Sequence, residues 1–342
     1  MTALSHPRKS GPVRMEDVAR RAGVSPITVS RALREGTVVA RTTRERVLAT
    51  AAKLGYTPNL LARGLVKNRT ATVGVVIVEV ANPFFAPMVS AVETVAARRG
   101  FLVVIGESAR NEAWERKYVE RFRQMRVGGI IVSPARKRPE YLTAARKVGT
   151  PVVVMSRRWE EGDYVTADNA AGGRMAARHL LSRGHRRIGL VAHVGPMDTS
   201  FEDRLRSFRQ VLASAGVSVP SLWDVRTKTT GIEDGLDAGD QILALSRRPT
   251  AIFATTDRMA MGLIQRLLAR GVRVPEDIAV VGYDDIPFAA CSQVPLTTVS
   301  IPVRQVGELA AELLFDRMEG KGPRERRQVL LSPEFMIRAS CP

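Results

Sequence analysis

Residues 14–34 read RMEDVARRAGVSPITVSRALR. Met15, Val18, Ala19 and Ala22 fall at the i, i+3, i+4, i+7 spacing of a short amphipathic helix, and Gly23-Val24-Ser25 then interrupts it. Ser25 suits an N-cap because its hydroxyl can accept an orphan backbone N–H, and Pro26 suits the first helical position because it has no N–H to lose. Val29 and Leu33 give this second helix one apolar stripe, which leaves Pro26, Ile27, Thr28, Ser30 and Arg31 on its other faces. Two short helices joined by a Gly-containing turn make a helix-turn-helix, and a second helix with a polar, cationic surface can enter a DNA major groove.

Charge is distributed as that reading requires. The 342 residues carry a net +18. Residues 1–70 hold 14 Lys/Arg against 4 Asp/Glu, a net of +10, and residues 71–342 hold 38 against 30, a net of +8. The excess in the first fifth of the chain suits a phosphate-facing surface, whereas the remainder fits a generally arginine-rich exterior equally well. A chain 45% apolar and 25% charged folds as a soluble protein, with length for two or three domains. Cys291 and Cys341 are too few for a disulfide framework, so a reducing cytoplasm is expected. The opening MTALSHPRKSGP lacks the apolar centre of a signal peptide, and no stretch approaches the roughly 20 apolar residues that span a bilayer. Residues 1–13 read as a mobile basic arm.

Residues 14–57 close into one small helical domain if a third helix runs from Thr42 to Leu54, with Val47, Ala51 and Leu54 on its inner face. Ala40 and Arg41 offer no side-chain cap, so its first turn should fray. Residues 58–70 open with Pro58 and Asn59 and have length for about two helical turns. A helix that short is marginal alone, and Gly64 weakens it by roughly 1 kcal/mol relative to Ala, so it should order only when something stabilises it.

From Thr72 the pattern becomes strands alternating with helices. TVGVVIV at 72–78 is a β-branched run of the kind buried in a parallel sheet, followed by a helix over 85–100, a strand over 101–106, a helix over 112–126 and a strand over 129–132. A further helix and the strand 151–155 complete one lobe. The alternation restarts after Asp168, with helices over 169–183, 204–215, 235–246 and 258–270 and strands over 188–192, 251–254 and 278–283. The count predicts an α/β fold of two doubly wound parallel-sheet lobes over 71–342, with ligands expected at the carboxyl ends of the strands, between the lobes. Residues 296–319 and 329–338 read as crossovers that return the chain to the first lobe and then to the second.

The stretch DVARRAGVSPITVSRAL, the GYTPN step and the ARGL segment, in that order, resemble the lactose-repressor (LacI/GalR) family of bacterial transcription regulators. The resemblance continues through NPFFAPMVSAVE, GGIIVSP, DNAAGGRMAARHLLSRGHRRIGL, TTDRMAMGL, VPEDIAVVGYDD and PLTTVS. It implies a periplasmic-binding-protein-like core that closes on a small molecule by a hinge motion. It also implies a homodimer on near-palindromic double-stranded operator DNA, read by Ser25, Pro26, Ile27, Thr28, Ser30 and Arg31. In that family residues 59–66 form a hinge helix that orders on the minor groove, with Leu65 wedged between base pairs and Ala62 beside it; by its own residue type Asn59 is a plausible cap for it. Pro26 and Ile27 fall on the positions that set operator preference. Both are apolar here, so a thymine methyl is a more natural target than a hydrogen-bonded purine.

The resemblance places the effector site on Phe84, Phe85, Arg204, Phe253, Asp257 with Thr256, and Asp284. An aspartate accepts sugar hydroxyls, a guanidinium donates in a fixed fork and an aromatic face covers the apolar side of a ring, so a sugar, sugar acid or sugar phosphate suits the set. Each residue has a second reading. Phe84 and Phe85 could pack a loop onto the sheet, Asp257 could cap its helix, and Arg204 could pair with Asp284. Asp198 lies where some family members carry another ligand residue, and Asn169 is a weak ligand candidate. His179 and His185 belong to a helix and its Gly184 exit, so no metal site is expected, and no cofactor either.

Enzyme chemistry finds no support. The first lobe strand leads into Glu79-Val-Ala-Asn-Pro-Phe rather than a G-x-G-x-x-G turn, and neither a G-x-S-x-G elbow nor a P-loop occurs. A sugar-binding receptor would share the lobes but would need export and would not need residues 14–34. A corepressor-dependent, purine-type repressor remains an alternative to a sugar-responsive one.

Overall fold

Gly23 has φ 65° and its N–H bonds the Arg20 carbonyl, so the first helix stops in a left-handed turn that a side chain would strain. In the computed structural model, which describes residues 13–33, 38–57, 70–193, 199–321 and 325–342, this turn joins α1 (Met15–Ala22) to α2 (Pro26–Ala32). α3 (Arg41–Leu54) starts at Ala40 without a side-chain cap and ends at Gly55, φ 66°. Val18, Ala19, Ala22, Val29, Ala32, Val47 and Ala51 form one buried core, with Leu33 and Leu54 half-buried at its margin. The basic arm except Val13, the hinge residues Asn59, Ala62 and Leu65, and Asp198 lie outside the described residues.

The chain divides into two compact units, 1–70 and 71–342. In the second unit, β1 (Thr72–Ile77), α4 (Phe85–Arg98), β2 (Leu102–Glu107), α5 (Glu112–Gln124), β3 (Gly129–Val132), α6 (Glu140–Lys147), β4 (Val152–Met155) and β5 (Asp163–Ala167) build the first lobe. The second lobe takes α7 (Asn169–Ser182), β6 (Ile188–His193), α8 (Thr199–Ser214), β7 (Asp224–Thr227), α9 (Ile232–Leu243), β8 (Ala251–Ala254), α10 (Asp257–Ala269), β9 (Ala279–Asp284) and β10 (Thr297–Ser300). α11 (Val303–Met318) and β11 (Gln328–Leu331) then return to the first lobe, and β12 (Glu334–Met336) to the second.

The first sheet runs β11-β5-β4-β3-β1-β2, all parallel, with Val75 facing Ile105 on one side and Ile131 on the other. Its central strands are covered on both faces, which is why they read as unbroken apolar runs. α4 and α11 pack on one face through Met88, Val92, Leu314 and Phe315, and α5 and α6 on the other through Val119, Phe122 and Leu142. Gly307 lets α11 lie close on α4, since a Cβ there would stand 2.2 Å from the Met88 carbonyl oxygen.

The second sheet runs β12-β10-β9-β8-β6-β7 and is parallel except at its edge, where β12 pairs antiparallel with β10. The doubly wound parallel sheets expected for both lobes are present, and the one antiparallel pairing is this last edge strand, which enters from the first lobe rather than through a helical crossover beside β10. α8 starts at Thr199, five residues before the expected Arg204, so Arg204 sits in its second turn. Among the described residues no helix is long and apolar enough to cross a membrane.

Candidate functional site

On α2 the Ser25 hydroxyl accepts the Thr28 N–H at 3.2 Å and lies 2.9 Å from the Thr28 hydroxyl. That cap, with Pro26 beside it, fixes the first turn and holds the helix rigid at its N-terminal end. Val29 and Ala32 point into the core, so Ser25, Pro26, Ile27 and Arg31 stand exposed while Thr28 and Ser30 are half-buried. Ile27 is 66% exposed and lies outside the buried core of its domain.

In the second unit, a cleft forms where the carboxyl ends of both sheets meet. It is lined by Asn82, Phe84 and Phe85 after β1, Arg110 after β2, Ser156 and Arg157 after β4, Ser200, Phe201 and Arg204 on α8, and Thr230, Thr256 and Asp284 from the second lobe. It measures about 420 Å³ counting its open mouth.

Arg204 is its most constrained group. The guanidinium donates from Nε to Asn169 Oδ1 at 2.8 Å and from Nη1 to the Thr255 carbonyl at 2.8 Å, and Nη2 lies 3.2 Å from Asp284 Oδ1. Its plane covers the Tyr283 ring at 3.6 Å and stands 4.9 Å from the Phe201 ring. Asp284, at φ 115°, ends β9 in a backbone conformation that non-glycine residues rarely adopt, and Asp285 follows at φ 56°. Burial raises the Tyr283 phenol above its ordinary range, so it serves as a neutral aromatic platform.

Of the residues expected at the site, Phe84, Phe85, Arg204 and Asp284 come together, with Thr256. Phe84 packs edge to face on Phe85 at 5.1 Å and touches the apolar cores of both lobes, whereas Phe85 is buried against the first lobe. Phe253 and Asp257 do not line the cleft. Phe253 is fully buried, stacked on Phe208 at 4.6 Å, because β8 is a central strand and its alternate residues face the helices. Asp257 is likewise fully buried, accepting the Ile286 N–H at 2.8 Å and the Thr298 hydroxyl at 2.5 Å. Burial, and next the Asp284 carboxylate, push its carboxyl well above the usual range. The cap of α10 is Thr256, whose hydroxyl accepts the Met259 N–H. Asn169, a weak ligand candidate by sequence, instead orients Arg204.

Sequence reasoning missed Asn82, Arg110, Ser156, Arg157, Ser200, Phe201 and Thr230. Arg110 and Ser156 follow strand ends at φ 60° and 64°, and the rule that ligands sit beyond strand carboxyl ends points at both. The lobes also bond directly to each other around the cleft: Arg110 to the Thr230 hydroxyl at 2.7 Å, Arg258 to Glu79 at 2.9 Å, Lys137 to Glu202 at 3.1 Å and Arg158 to Asp203 at 2.7 Å. His179 bonds the Cys341 carbonyl and His185 the Thr250 hydroxyl, and burial lowers both imidazoles' proton affinity.

Two family patterns match the chain: bacterial regulatory proteins of the lacI family over residues 14–59, and the periplasmic binding protein-like domain over residues 177–341. The chain is 37% identical to the HTH-type transcriptional repressor PurR of Photobacterium profundum, over 95% of this chain and 98% of that one. It is 34% identical to the ribose operon repressor of Escherichia coli, over 96% and 99% respectively. Among solved structures, the Lac repressor dimer bound to operator and the anti-inducer ONPF is similar with a TM-score of 0.87 at 26% identity, covering 97% of this chain and 99% of that one. Taken with the helix-turn-helix and the two-lobed core, this similarity along nearly the whole length means that the chain belongs to the lacI family of bacterial regulatory proteins: it is a ligand-responsive transcriptional repressor, not an enzyme.

Proposed function

We propose that the repressor works in the cytoplasm as a homodimer on a near-palindromic operator, and that a small carbohydrate-type molecule in the cleft sets its grip. The buried Arg204–Asp284 pair carries the effector reading. One carboxylate and one guanidinium held in fixed orientation beside the Phe84 and Phe201 rings offer an acceptor, donors and an apolar face, which are the three things a sugar ring presents surfaces to. The Asn82, Ser156 and Thr230 side chains supply further polar atoms for hydroxyls, and a sugar acid or sugar phosphate would meet the same arginine-rich wall. On the DNA side, Ser25, Thr28, Ser30 and Arg31 contact phosphates or base edges, Pro26 and Ile27 meet thymine methyls, and Asn59, Ala62 and Leu65 form the hinge.

A nucleobase corepressor is the second reading. The two aromatic faces and the similarity to a PurR repressor favour it. A thermal-shift screen of the full chain against sugars, sugar acids, sugar phosphates and nucleobases separates the two, followed by a gel shift on a palindromic promoter fragment with and without each hit. A carbohydrate that raises the melting temperature and changes DNA retention supports the first reading. Nucleobases alone doing so would replace it.

A further inference from the structure

α5 carries a glutamate with no aqueous exposure. The Glu115 Oε2 accepts the Ala135 N–H at 2.8 Å and its Oε1 accepts the Tyr141 hydroxyl of α6. The residue before Ala135 has a role of its own: the Pro134 carbonyl accepts the Arg157 Nε–H at 2.8 Å. Arg157 in turn lines the cleft and reaches over to Ser200 of the second lobe at 3.5 Å, and the Ser200 hydroxyl donates to the Ser156 carbonyl at 3.0 Å. The single peptide group between Pro134 and Ala135 thus connects one buried carboxyl, through its N–H, to a cleft arginine, through its carbonyl, and on to the opposite lobe.

We propose that Glu115 is a proton-linked positioning residue for the effector cleft, holding the Pro134–Ala135 turn that aims Arg157 and changing that hold when its carboxyl gains or loses a proton. The inference rests on the cleft being the effector site. When ionised, both carboxylate oxygens accept charge-assisted hydrogen bonds and attract the Arg157 guanidinium; when protonated, the bond to Ala135 weakens to a neutral one and the attraction to Arg157 disappears. The charged and titratable groups around it are few. Glu112 stands one turn earlier on α5 and is itself paired with Arg136 at 2.6 Å, Tyr141 comes from α6, and Arg157 comes from the segment after β4. Burial outweighs the Ala135 bond and the nearby Arg157 charge and pushes the carboxyl up to about 7, inside the range where a cell's pH varies. A glutamate kept dry would be replaced at less cost by a glutamine if turn geometry alone were needed.

Nuclear magnetic resonance of the full chain, labelled with 15N-arginine and 13C-glutamate, tests this without any effector, with R157K assigning the Arg157 Nε signal. The Arg157 Nε and Glu115 carboxyl signals should titrate together with a midpoint near 7, and Glu115→Gln should remove the Arg157 titration. Tyr141→Phe, which deletes one donor to the ionised form, should move the midpoint upward, and it decides the matter if the glutamine variant fails to fold. A steady Arg157 signal across that midpoint, a titration that survives Glu115→Gln, or an unmoved midpoint in Tyr141→Phe overturns the proposal. Should the cleft prove to bind none of the screened ligands while Arg157 still titrates, the effector reading fails and the proton linkage stands.

Discussion

Arg204 and Asp284 meet at 3.2 Å with their side chains only 6% and 9% exposed, so the group assigned to the ligand is also a buried ion pair of the second lobe. Removing one member of such a pair leaves an uncompensated charge, which commonly costs about 3–5 kcal/mol. Function and stability are coupled at this point, and the choice of substitution decides which is read.

Arg204→Ala should therefore lower the melting temperature by several degrees as well as abolish the effector response, since Asp284 would be left facing a buried Asp257. Asp284→Asn keeps the shape and leaves Arg204 its bonds to Asn169 and Thr255, so it should lose the ligand-induced shift with a smaller stability change. Operator binding without ligand should survive in Asp284→Asn. Normal induction in that variant would show that the cleft is assigned wrongly.

Ile27→Gln should alter which base is preferred at one symmetric pair of operator positions, by roughly 1 kcal/mol or more, while leaving the melting temperature nearly unchanged. The side chain is 66% exposed and outside the core of its domain, so stability gives it no reason to be apolar. Selection of binding sites from a randomised operator pool checks this, and an unchanged preference would remove Ile27 from the reading surface.

If Leu65 is the wedge of the proposed hinge, Leu65→Ala should weaken operator affinity by at least ~1 kcal/mol, because the kinking anchor is then lost. A gel-shift titration measures it. An affinity within about twofold of the parent would mean that Leu65 is not the wedge.

Stability should depend on pH through Glu115. An unfolded glutamate titrates near 4.5 and the buried one near 7, so between those values the folded chain binds more protons. The contribution of this group is full below 4.5 and is lost as pH rises through 7. Glu115→Gln should accordingly melt higher relative to the parent at pH 8 than at pH 5, by a few degrees; calorimetry at both pH values gives the comparison, and a constant difference would contradict it.

Much of the architecture is legible without coordinates, because the central strands β1, β3, β4 and β8 are buried on both faces and contain little but apolar residues. β5 and β7 escape that reading. β5 begins at Asp163, whose charge is met by Arg317 from far along the chain, and β7 is an edge strand, Asp-Val-Arg-Thr, half in water. Of the cleft, the residues in recognisable motifs, Phe84, Arg204 and Asp284, were readable. Arg110, Arg157 and Thr230 were not, since they belong to loops whose only common property is that the fold brings strand ends together. Asp257 shows the opposite error: its motif is as distinct as that of Asp284, yet its carboxyl turns inward to hold Ile286 and Thr298.

Both sheets are finished by the same late segment, β11 for the first lobe and β12 for the second, between Gln328 and Met336. Ribosomes deliver the N-terminus first. The operator-reading helices can thus assemble hundreds of residues before either half of the sensor has its edge, and a message interrupted by a late stop codon yields a reader whose sensor is incomplete in both halves at once.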